Sequence, residues 1–375
     1  MVFIQLVQFV KFLSKIIILS NNNIMKGCGD KEEVIIVNNN FQKCCCEKAY
    51  LDQNLSWLGV SINGVNLWFF QDKKWWGVSF PGIADTYNDL AFGKYFGQDY
   101  FFVVGGYSLG NTFAIATVTP KLEVTDISTS LPNLYIPDGN GNCNLTSVAY
   151  DRSSNTWATV GQYPYLFHTR GCNWEYRFLQ EYFKSLWTIS SDGKNNWVIG
   201  GVPNNWGATV YYQLGGLNGL WSTTNVTDGV HYGGTASNGE LFVAATNEGT
   251  IWVGTVPNLQ EWKKVEIPLT DIYFTRVIWN GKLWIASWST KNNKELGTLI
   301  STDAENWTVG IDKKEEHQPG LITLGTNTEE YIFDYVTPAG KSRLSFYQST
   351  SSKDPITYIV DDLISAVAST TILPI

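Results

Sequence analysis

Residues 277–284 read Val-Ile-Trp-Asn-Gly-Lys-Leu-Trp: a short apolar segment, a turn containing Asn280-Gly281, and a second segment opened by an aromatic residue. A tight hairpin between twisted strands needs residues at positive φ, and Asn-Gly or Asp-Gly supplies them at little steric cost. The stretch therefore predicts two antiparallel strands joined by a tight turn.

This pattern recurs about every 44 residues, a period typical of β-propeller blades. The copies are Val60–Trp68, Leu90–Phe102, Val148–Trp157, Thr188–Trp197, Thr235–Phe242, Val277–Trp284 and Thr323–Tyr331. A third alternating segment and a second turn follow most copies, and that turn ends in a tryptophan (Trp174, Trp221, Trp262 and Trp307). Four strands per repeat, with no helical periodicity between them, predict an all-β, seven-bladed propeller. A six-bladed ring and a solenoid are the alternatives.

The two ends of the chain depart from the repeat. The first copy shows three strands, so the apolar segment Leu363–Ala368 is expected to supply its missing strand and close the ring. Residues 1–50 carry none of the repeat's anchors and include the run Cys44-Cys45-Cys46. We therefore predict a non-propeller N-terminal segment over 1–50 and a propeller over 51–375.

Residues 2–19 are mostly apolar, but Lys11 and Lys15 interrupt them and no cleavage site follows. As a helix they would suit an anchor at a membrane surface or a contact with a partner. Alternatively, translation starts at Met25 rather than Met1, and these residues lie upstream of the protein. The compartment stays open, secretion or membrane anchoring being possible if the segment is a genuine targeting signal.

Composition disfavours several classes of partner and cofactor. The net charge is −8 and the chain has five arginines, which disfavours nucleic acid. No cysteine has the C-x-x-C spacing of a zinc site, and the three histidines are far apart, so no metal and no other cofactor is expected. Cys143 and Cys172 either form a disulfide or remain separate thiols.

The turn Ser301-Thr-Asp303-Ala-Glu-Asn-Trp307 resembles the Asp-box of sialidase-like propellers, with Ser301, Asp303 and Trp307 in the motif positions. In that family the box is a structural element on the face away from the ligand, so the resemblance implies a fold and not an activity. Sialidases hold a carboxylate with three arginines and use a tyrosine activated by a glutamate. Here Arg276 and Arg343 can reach the pocket face, and a triad of arginines is not expected.

Most tryptophans occupy fixed strand positions of the repeat, where a large ring fills the space between blades. The exceptions lie in predicted loops that share one face of the ring: Tyr87, Tyr107, Trp206, His231, Tyr232 and Trp288. With Arg276 and Arg343, they are the candidate ligand-binding residues. The sequence therefore predicts a non-catalytic propeller that binds a protein or a glycan, the alternative being a glycoside hydrolase or lyase of the same fold.

Overall fold

The computed structural model describes residues 56–62, 66–71, 73–79, 86–106, 113–126, 144–169, 174–179, 181–204, 208–230, 234–319, 322–327, 330–348 and 355–370. Over these residues the chain is all-β, with 28 strands in seven antiparallel sheets of four. The predicted N-terminal segment, 1–50, lies outside the described residues. So do Cys143 and Cys172.

Blade 1 contains β1 (Trp57–Ser61), β2 (Asn66–Gln71), β3 (Lys74–Ser79) and β28 (Ile364–Ser369). Blade 2 contains β4 (Thr86–Tyr95), β5 (Gln98–Gly106), β6 (Phe113–Val118) and β7 (Val124–Asp126). Blade 3 contains β8 (Leu145–Asp151), β9 (Thr156–Gly161), β10 (Tyr165–Thr169) and β11 (Trp174–Phe178). Blade 4 contains β12 (Phe183–Ser191), β13 (Trp197–Pro203), β14 (Val210–Gln213) and β15 (Ser222–Thr223).

Blade 5 contains β16 (Thr235–Ser237), β17 (Leu241–Ala245), β18 (Ile251–Thr255) and β19 (Lys263–Val265). Blade 6 contains β20 (Ile272–Trp279), β21 (Trp284–Thr290), β22 (Leu296–Ser301) and β23 (Thr308–Lys313). Blade 7 contains β24 (Ile322–Thr326), β25 (Glu330–Val336), β26 (Ser342–Gln348) and β27 (Ile356–Val360).

One strand of each blade contacts its counterparts in both neighbouring blades, in the cycle β28, β4, β8, β12, β16, β20, β24 and back to β28. These innermost strands surround the central channel and are named A; B, C and D follow outward. The A–B and C–D turns lie on one face of the ring, the hairpin face. The B–C and D–A loops lie on the other, the loop face. The seven-bladed propeller predicted from the repeat is confirmed.

The ring closes through β28, as the repeat predicted, because this strand pairs with β1 along five residues. One detail of the prediction was wrong. The first copy, Val60–Trp68, was taken as an A–B hairpin, but β1 and β2 are strands B and C of blade 1. Strand A of this blade comes from the C-terminal end of the chain, so its A–B pairing has no hairpin to mark it in the sequence.

Several A–B hairpins share a turn in which a side chain after strand A accepts backbone N–H groups. Asn280 Oδ1 accepts from Lys282 N and Leu283 N at 3.0 and 2.7 Å, and Asn238 binds Glu240 N and Leu241 N in the same way. Asn and Asp favour this geometry because their short side chains reach the backbone two or three residues on. This is the physical basis of the Asn/Asp-Gly signal in the repeat.

Apolar side chains fill the spaces between adjacent blades. Phe102 of blade 2 stacks on Trp157 of blade 3, with ring centroids 4.0 Å apart. Trp197 and Trp284 occupy the same position at the start of strand B in blades 4 and 6 and are likewise buried. The tryptophans predicted to open strand B thus pack in the core.

Candidate functional site

β-bulges near the loop face alter the direction of several innermost strands. The register shifts between Tyr87 and Asp89 in β4 and between Phe274 and Arg276 in β20. A bulge adds one unpaired residue and re-aims the side chains that follow it. Asp89 and Arg276 each come directly after such a bulge.

These two residues form an ion pair, in which Arg276 Nη2 lies 2.5 Å from Asp89 Oδ1. Their strands belong to blades 2 and 6, which have two blades between them on one side of the ring and three on the other. The pair therefore spans the central channel. The Asp89 side chain is 6% exposed and that of Arg276 27% exposed. Val148 N donates to the second Asp89 oxygen at 3.0 Å, so the carboxylate also ties blade 2 to blade 3.

Hydroxyl groups line other parts of the innermost strands and bind one another. Ser190 Oγ donates to Thr235 Oγ1 at 2.8 Å, and Thr188 Oγ1 lies 3.2 Å from the same atom. Asn88 Nδ2 donates to Leu145 O at 2.7 Å. These contacts join adjacent blades and satisfy polar groups that the channel would otherwise leave buried without partners.

Arg343, the second predicted arginine, lies in β26 and contacts a different carboxylate. Its Nη1 is 3.3 Å from Glu315 Oε2 and 3.4 Å from the Tyr335 hydroxyl, which itself donates to Glu315. Burial, and next the contact with Glu315, raise the pKa of Tyr335 well above its ordinary value. The tyrosine is fully buried, so it is a neutral hydrogen-bond donor without access to a substrate.

A serine–histidine contact lies nearby. Ser289 Oγ is 2.8 Å from His317 Nε2, and His317 Nδ1 is 3.2 Å from Glu315 O. A neutral histidine that donates from Nδ1 to the carbonyl can accept the serine proton at Nε2, as in a nucleophile–base pair. Both side chains are buried, however, and burial lowers the pKa of His317. The contact joins the end of β21, strand B of blade 6, to the D–A loop that follows this blade.

Two further aspartates in D–A loops are also engaged in hydrogen bonds. Asp228 Oδ2 accepts from Thr250 Oγ1, Trp252 Nε1 and Lys264 Nζ at 2.6, 3.0 and 2.9 Å. Burial acts to raise the pKa of Asp228, but these hydrogen bonds outweigh it and the pKa is lowered. Asp228 is therefore ionised at neutral pH and holds blades 4 and 5 together.

Asp362 joins neighbouring segments in the same way where the ring closes. It accepts hydrogen bonds from Ser61 Oγ at 2.6 Å, Asn66 Nδ2 at 2.9 Å and Trp68 Nε1 at 2.8 Å. Its own loop supplies a fourth, from Leu363 N at 2.8 Å. Burial alone would raise the pKa of Asp362, but these donors lower it. The ionised carboxylate thus fixes blade 1 to the loop that leads into β28.

The turn that resembles an Asp-box lies between β22 and β23, on the hairpin face. Asp303 Oδ1 accepts from Glu305 N, Asn306 N and Ser301 Oγ at 2.9, 2.7 and 3.0 Å. The Asn306 contacts and the other hydrogen bonds lower the pKa of Asp303. Trp307 Nε1 donates to Ala304 O at 2.8 Å and its ring is buried. The described contacts of this turn are structural.

The candidate ligand-binding residues do not form one surface in the described structure. Tyr87 and Trp288 were predicted in loops, but they lie in strands β4 and β21 and are only 1% and 2% exposed. That placement was wrong because β4 already begins at Thr86 and β21 continues to Thr290, so both rings lie within strands whose side chains are buried there. Trp288 shares a face of β21 with Trp284 and packs in the core between blades 5 and 6. Tyr107, Trp206, His231 and Tyr232 lie outside the described residues.

Sequence reasoning missed Asp89, Glu315 and Tyr335. The first had a readable signal, because a carboxylate within an otherwise apolar innermost strand must have a partner when buried. Glu315 and Tyr335 had none, since their contact depends on the path of a D–A loop. Within the described residues, no group of three or more His, Cys, Asp or Glu side chains is arranged to bind a metal.

No known family and no curated protein matches the sequence. Solved structures do match the fold. The β-propeller domain of Cps50 (Swd1) from Myceliophteria thermophila has a TM-score of 0.50 at 8% identity, covering 73% of this chain and 85% of that one. Dihydro-heme d1 dehydrogenase NirN has a TM-score of 0.51 at 11% identity, with coverages of 84% and 75%.

YCF48 bound to D1 peptide has a TM-score of 0.47 at 13% identity, covering 80% of this chain and 85% of that one. The chain is a β-propeller. At these identities the likeness establishes the fold alone. The resemblance of one turn to sialidase-like propellers gains no support at the level of family. Among the described residues no helix is long and apolar enough to cross a membrane, and residues 2–19 are not among them.

Proposed function

We propose that this propeller is a non-catalytic module that binds a protein or a glycan through its loop face. The observation that carries the proposal is the ion pair of Arg276 with Asp89 across the central channel. An enzyme that binds an anionic substrate needs guanidinium groups aimed at the substrate. Here the guanidinium group in the channel is paired with a carboxylate of the opposite blade.

The acids near the loop face support the same proposal. Asp89, Asp228 and Asp362 each accept hydrogen bonds from two or more groups, and Glu315 accepts them from Tyr335 and Arg343. Carboxylates so engaged connect blades and are poorly placed to exchange a proton with a substrate. This leaves binding as the function that the described surface favours.

The rival is a glycoside hydrolase or lyase of the same fold. Its best support is the contact among Glu315, Tyr335 and Arg343, which brings together the residue types of a sialidase site. Arg276 binds a different carboxylate, so the two arginines do not converge on one group. The burial of Tyr335 also counts against a role as nucleophile. Binding is therefore the better-supported proposal.

The test uses Tyr107, Trp206 and Tyr232, which remain the proposed aromatic anchors of the loop face. A variant with all three changed to Ser is compared with the wild type in a native pull-down and on a glycan array. Phe96→Ser is the matched control, because Phe96 is an exposed aromatic residue at an A–B turn on the hairpin face. The expected result is loss of capture in the triple variant and full capture by the control.

Loss of capture in Phe96→Ser alone would move the binding site to the hairpin face and refute the proposal. Turnover of a glycoside substrate by the wild type, abolished in Tyr335→Phe or Glu315→Gln, would favour the enzyme instead.

A further inference from the structure

The outermost strand of blade 3, β11, has the sequence Trp174-Glu175-Tyr176-Arg177-Phe178. It pairs with β10 on one side and has no sheet neighbour on the other in the described structure. Tyr176 and Phe178 are 48% and 39% exposed, so this open strand edge presents aromatic rings to solvent. An open edge with exposed apolar side chains is a site for pairing with another strand.

The five residues are complementary to themselves when two copies of the strand run antiparallel. With a two-fold axis at Tyr176, Glu175 of each copy lies opposite Arg177 of the other. Trp174 then lies opposite Phe178, and Tyr176 faces its own counterpart. Opposite charges and aromatic pairs at directly opposed positions stabilise antiparallel strands, whereas like charges destabilise them. A two-fold dimer requires such a self-complementary surface.

Neither charged side chain of β11 forms an ion pair with a carboxylate, a lysine or another arginine among the described residues. Arg177 Nη1 donates to the carbonyl oxygens of Leu217 and Gly219 at 2.9 and 2.5 Å, and it has no carboxylate partner among the described residues. Those contacts hold the guanidinium group beside blade 4. The Glu175 side chain is 62% exposed, and its Oε2 lies 3.8 Å from His168 Nε2. Each copy thus contributes one acidic side chain, Glu175, and one basic side chain, Arg177, to the proposed pairing.

Aromatic rings cover the opposite face of this edge. The centroids of Phe178 and Tyr165 are 4.8 Å apart, and those of Tyr176 and Phe167 6.5 Å. Tyr163 stacks on Phe178 with an angle of 12° between the ring planes. A second copy paired at Tyr176 would continue this row of rings and cover the exposed faces of Tyr176 and Phe178.

The other outer strands lack this pattern. β19 has Lys263 and Lys264, so two copies paired about Lys264 would oppose like charges. β27 (Ile-Thr-Tyr-Ile-Val) is also open and exposes Ile356 and Ile359, but it has no charge to set a register. Among the outer strands that the structure describes, β11 is the one with an acid and a base on either side of its central residue.

We propose that the protein forms a two-fold dimer in which β11 of one copy pairs antiparallel with β11 of a second copy, centred on Tyr176. A pair of five-residue strands is a small interface, so the dimer is expected to be weak, with dissociation in the micromolar range or above. The proposal goes beyond ligand binding and does not depend on what binds the loop face. The loop face lies at the ends of the strands, whereas β11 forms the outer edge of blade 3.

The register predicts a specific disulfide. Two Tyr176 residues facing each other have Cα atoms about 4.5–5.5 Å apart, within the range that a disulfide bridges. In this arrangement Phe178 lies about 13 Å from its own counterpart, because four residues at about 3.3 Å each separate them. Under mild oxidation of the full chain, Tyr176→Cys should give a covalent dimer that the wild type and Phe178→Cys do not. Equal dimer yields for the two cysteine variants would overturn the proposal.

Charge exchange provides an independent test by sedimentation equilibrium, at concentrations up to several hundred micromolar. Glu175→Lys and Arg177→Glu each oppose like charges, so each should weaken self-association about tenfold or more. Mixed together, they restore both opposite pairs and should form a heterodimer with wild-type affinity. Ile359→Lys on β27 is the control and should leave association unchanged.

A monomeric wild type at the highest concentration would refute the proposal, as would failure of the folded Glu175→Lys and Arg177→Glu proteins to associate when mixed. Loss of association in Ile359→Lys would assign the interface to β27. If Arg177→Glu does not fold, the comparison of Tyr176→Cys with Phe178→Cys still decides the question.

Discussion

Asp334 of β25 is a fully buried carboxyl group with an incomplete set of partners. Ser342 Oγ donates to its Oδ2 at 3.3 Å, while its Oδ1 and the hydroxyl of Thr323 on the paired strand have no hydrogen-bond partner. Burial raises the pKa of Asp334 to about 8, although the hydrogen bonds from Ser342 and from two backbone N–H groups act to lower it. At neutral pH the folded protein therefore holds this group mostly protonated.

The sign of the stability effect follows from proton binding. Unfolded, Asp334 has its ordinary pKa of 3.8 and is ionised above about pH 5; folded, it retains its proton up to about pH 8. Between these values the folded state binds one more proton than the unfolded state, so stability falls as pH rises. Each pH unit in this range changes the folding equilibrium about tenfold, so stability falls by roughly 3 kcal/mol between pH 5 and pH 7. Below the unfolded pKa this loss disappears.

Asp334→Asn removes the titration while keeping the shape of the side chain. Its amide can accept from Ser342 and donate to the Thr323 hydroxyl, which now lacks a partner. The variant is expected to gain on the wild type by about 1.4 kcal/mol per pH unit from pH 5 to pH 7, measured by urea unfolding followed through tryptophan fluorescence. Asp312→Asn, at an exposed site on β23, is the control and should gain almost nothing.

A difference between Asp334→Asn and wild type that stays constant from pH 5 to pH 8 would refute this reasoning. It would mean that Asp334 titrates alike in the folded and unfolded states, which requires water or a cation beside Oδ1. A loss in the variant that grows as pH rises would show that the folded state favours the ionised carboxylate instead.

Three other predictions concern the core, the closure and the N-terminal segment. Trp284→Ala should cost about 3–5 kcal/mol in unfolding free energy because it leaves a cavity between blades. Trp206→Ala should cost less than about 1 kcal/mol and should weaken ligand capture. Equal costs in urea melts would place Trp206 in the core. Asp362→Ala should cost at least about 2 kcal/mol in unfolding free energy at pH 7, because it leaves the donors of Ser61, Asn66 and Trp68 without an acceptor. The difference from wild type should shrink as acid protonates the wild-type carboxylate. A cost that does not change toward low pH would contradict this. Deleting residues 1–50 should leave the thermal midpoint nearly unchanged, and a large drop would show that this segment contributes a strand to the ring.

Sequence alone predicted the ring because its signal repeats. The Asn280-Gly281 turn and its counterparts each report the same local geometry, so one irregular copy does not change the result. The error in the first copy has a physical cause: β28 pairs with β1 across nearly the whole chain, and no local turn records that pairing. The closure itself was predictable only because an unpaired apolar strand remained at the C-terminal end.

The candidate site was far less predictable than the fold. Tyr87 lies next to the start of β4 and Trp288 near the end of β21, so a boundary error of a few residues in the sequence places both in loops. The exact end of a strand decides whether such a ring is buried. The ion pair of Asp89 and Arg276 joins residues of opposite blades, and its geometry depends on a bulge in each strand. Neither bulge leaves a recognisable residue pattern.

Buried ionisable groups divide into two kinds in this propeller. Asp228 and Asp362 have several donors each, remain ionised and tie neighbouring segments together, so their charge stabilises the ring at neutral pH. Asp334 is fully buried, and its donors do not compensate for that burial, so it holds a proton instead. Charged side chains on the outer edges of the blades contribute little to folding stability, because solvent screens them. On β11 their value lies in setting which strand can pair with the edge, and in which register.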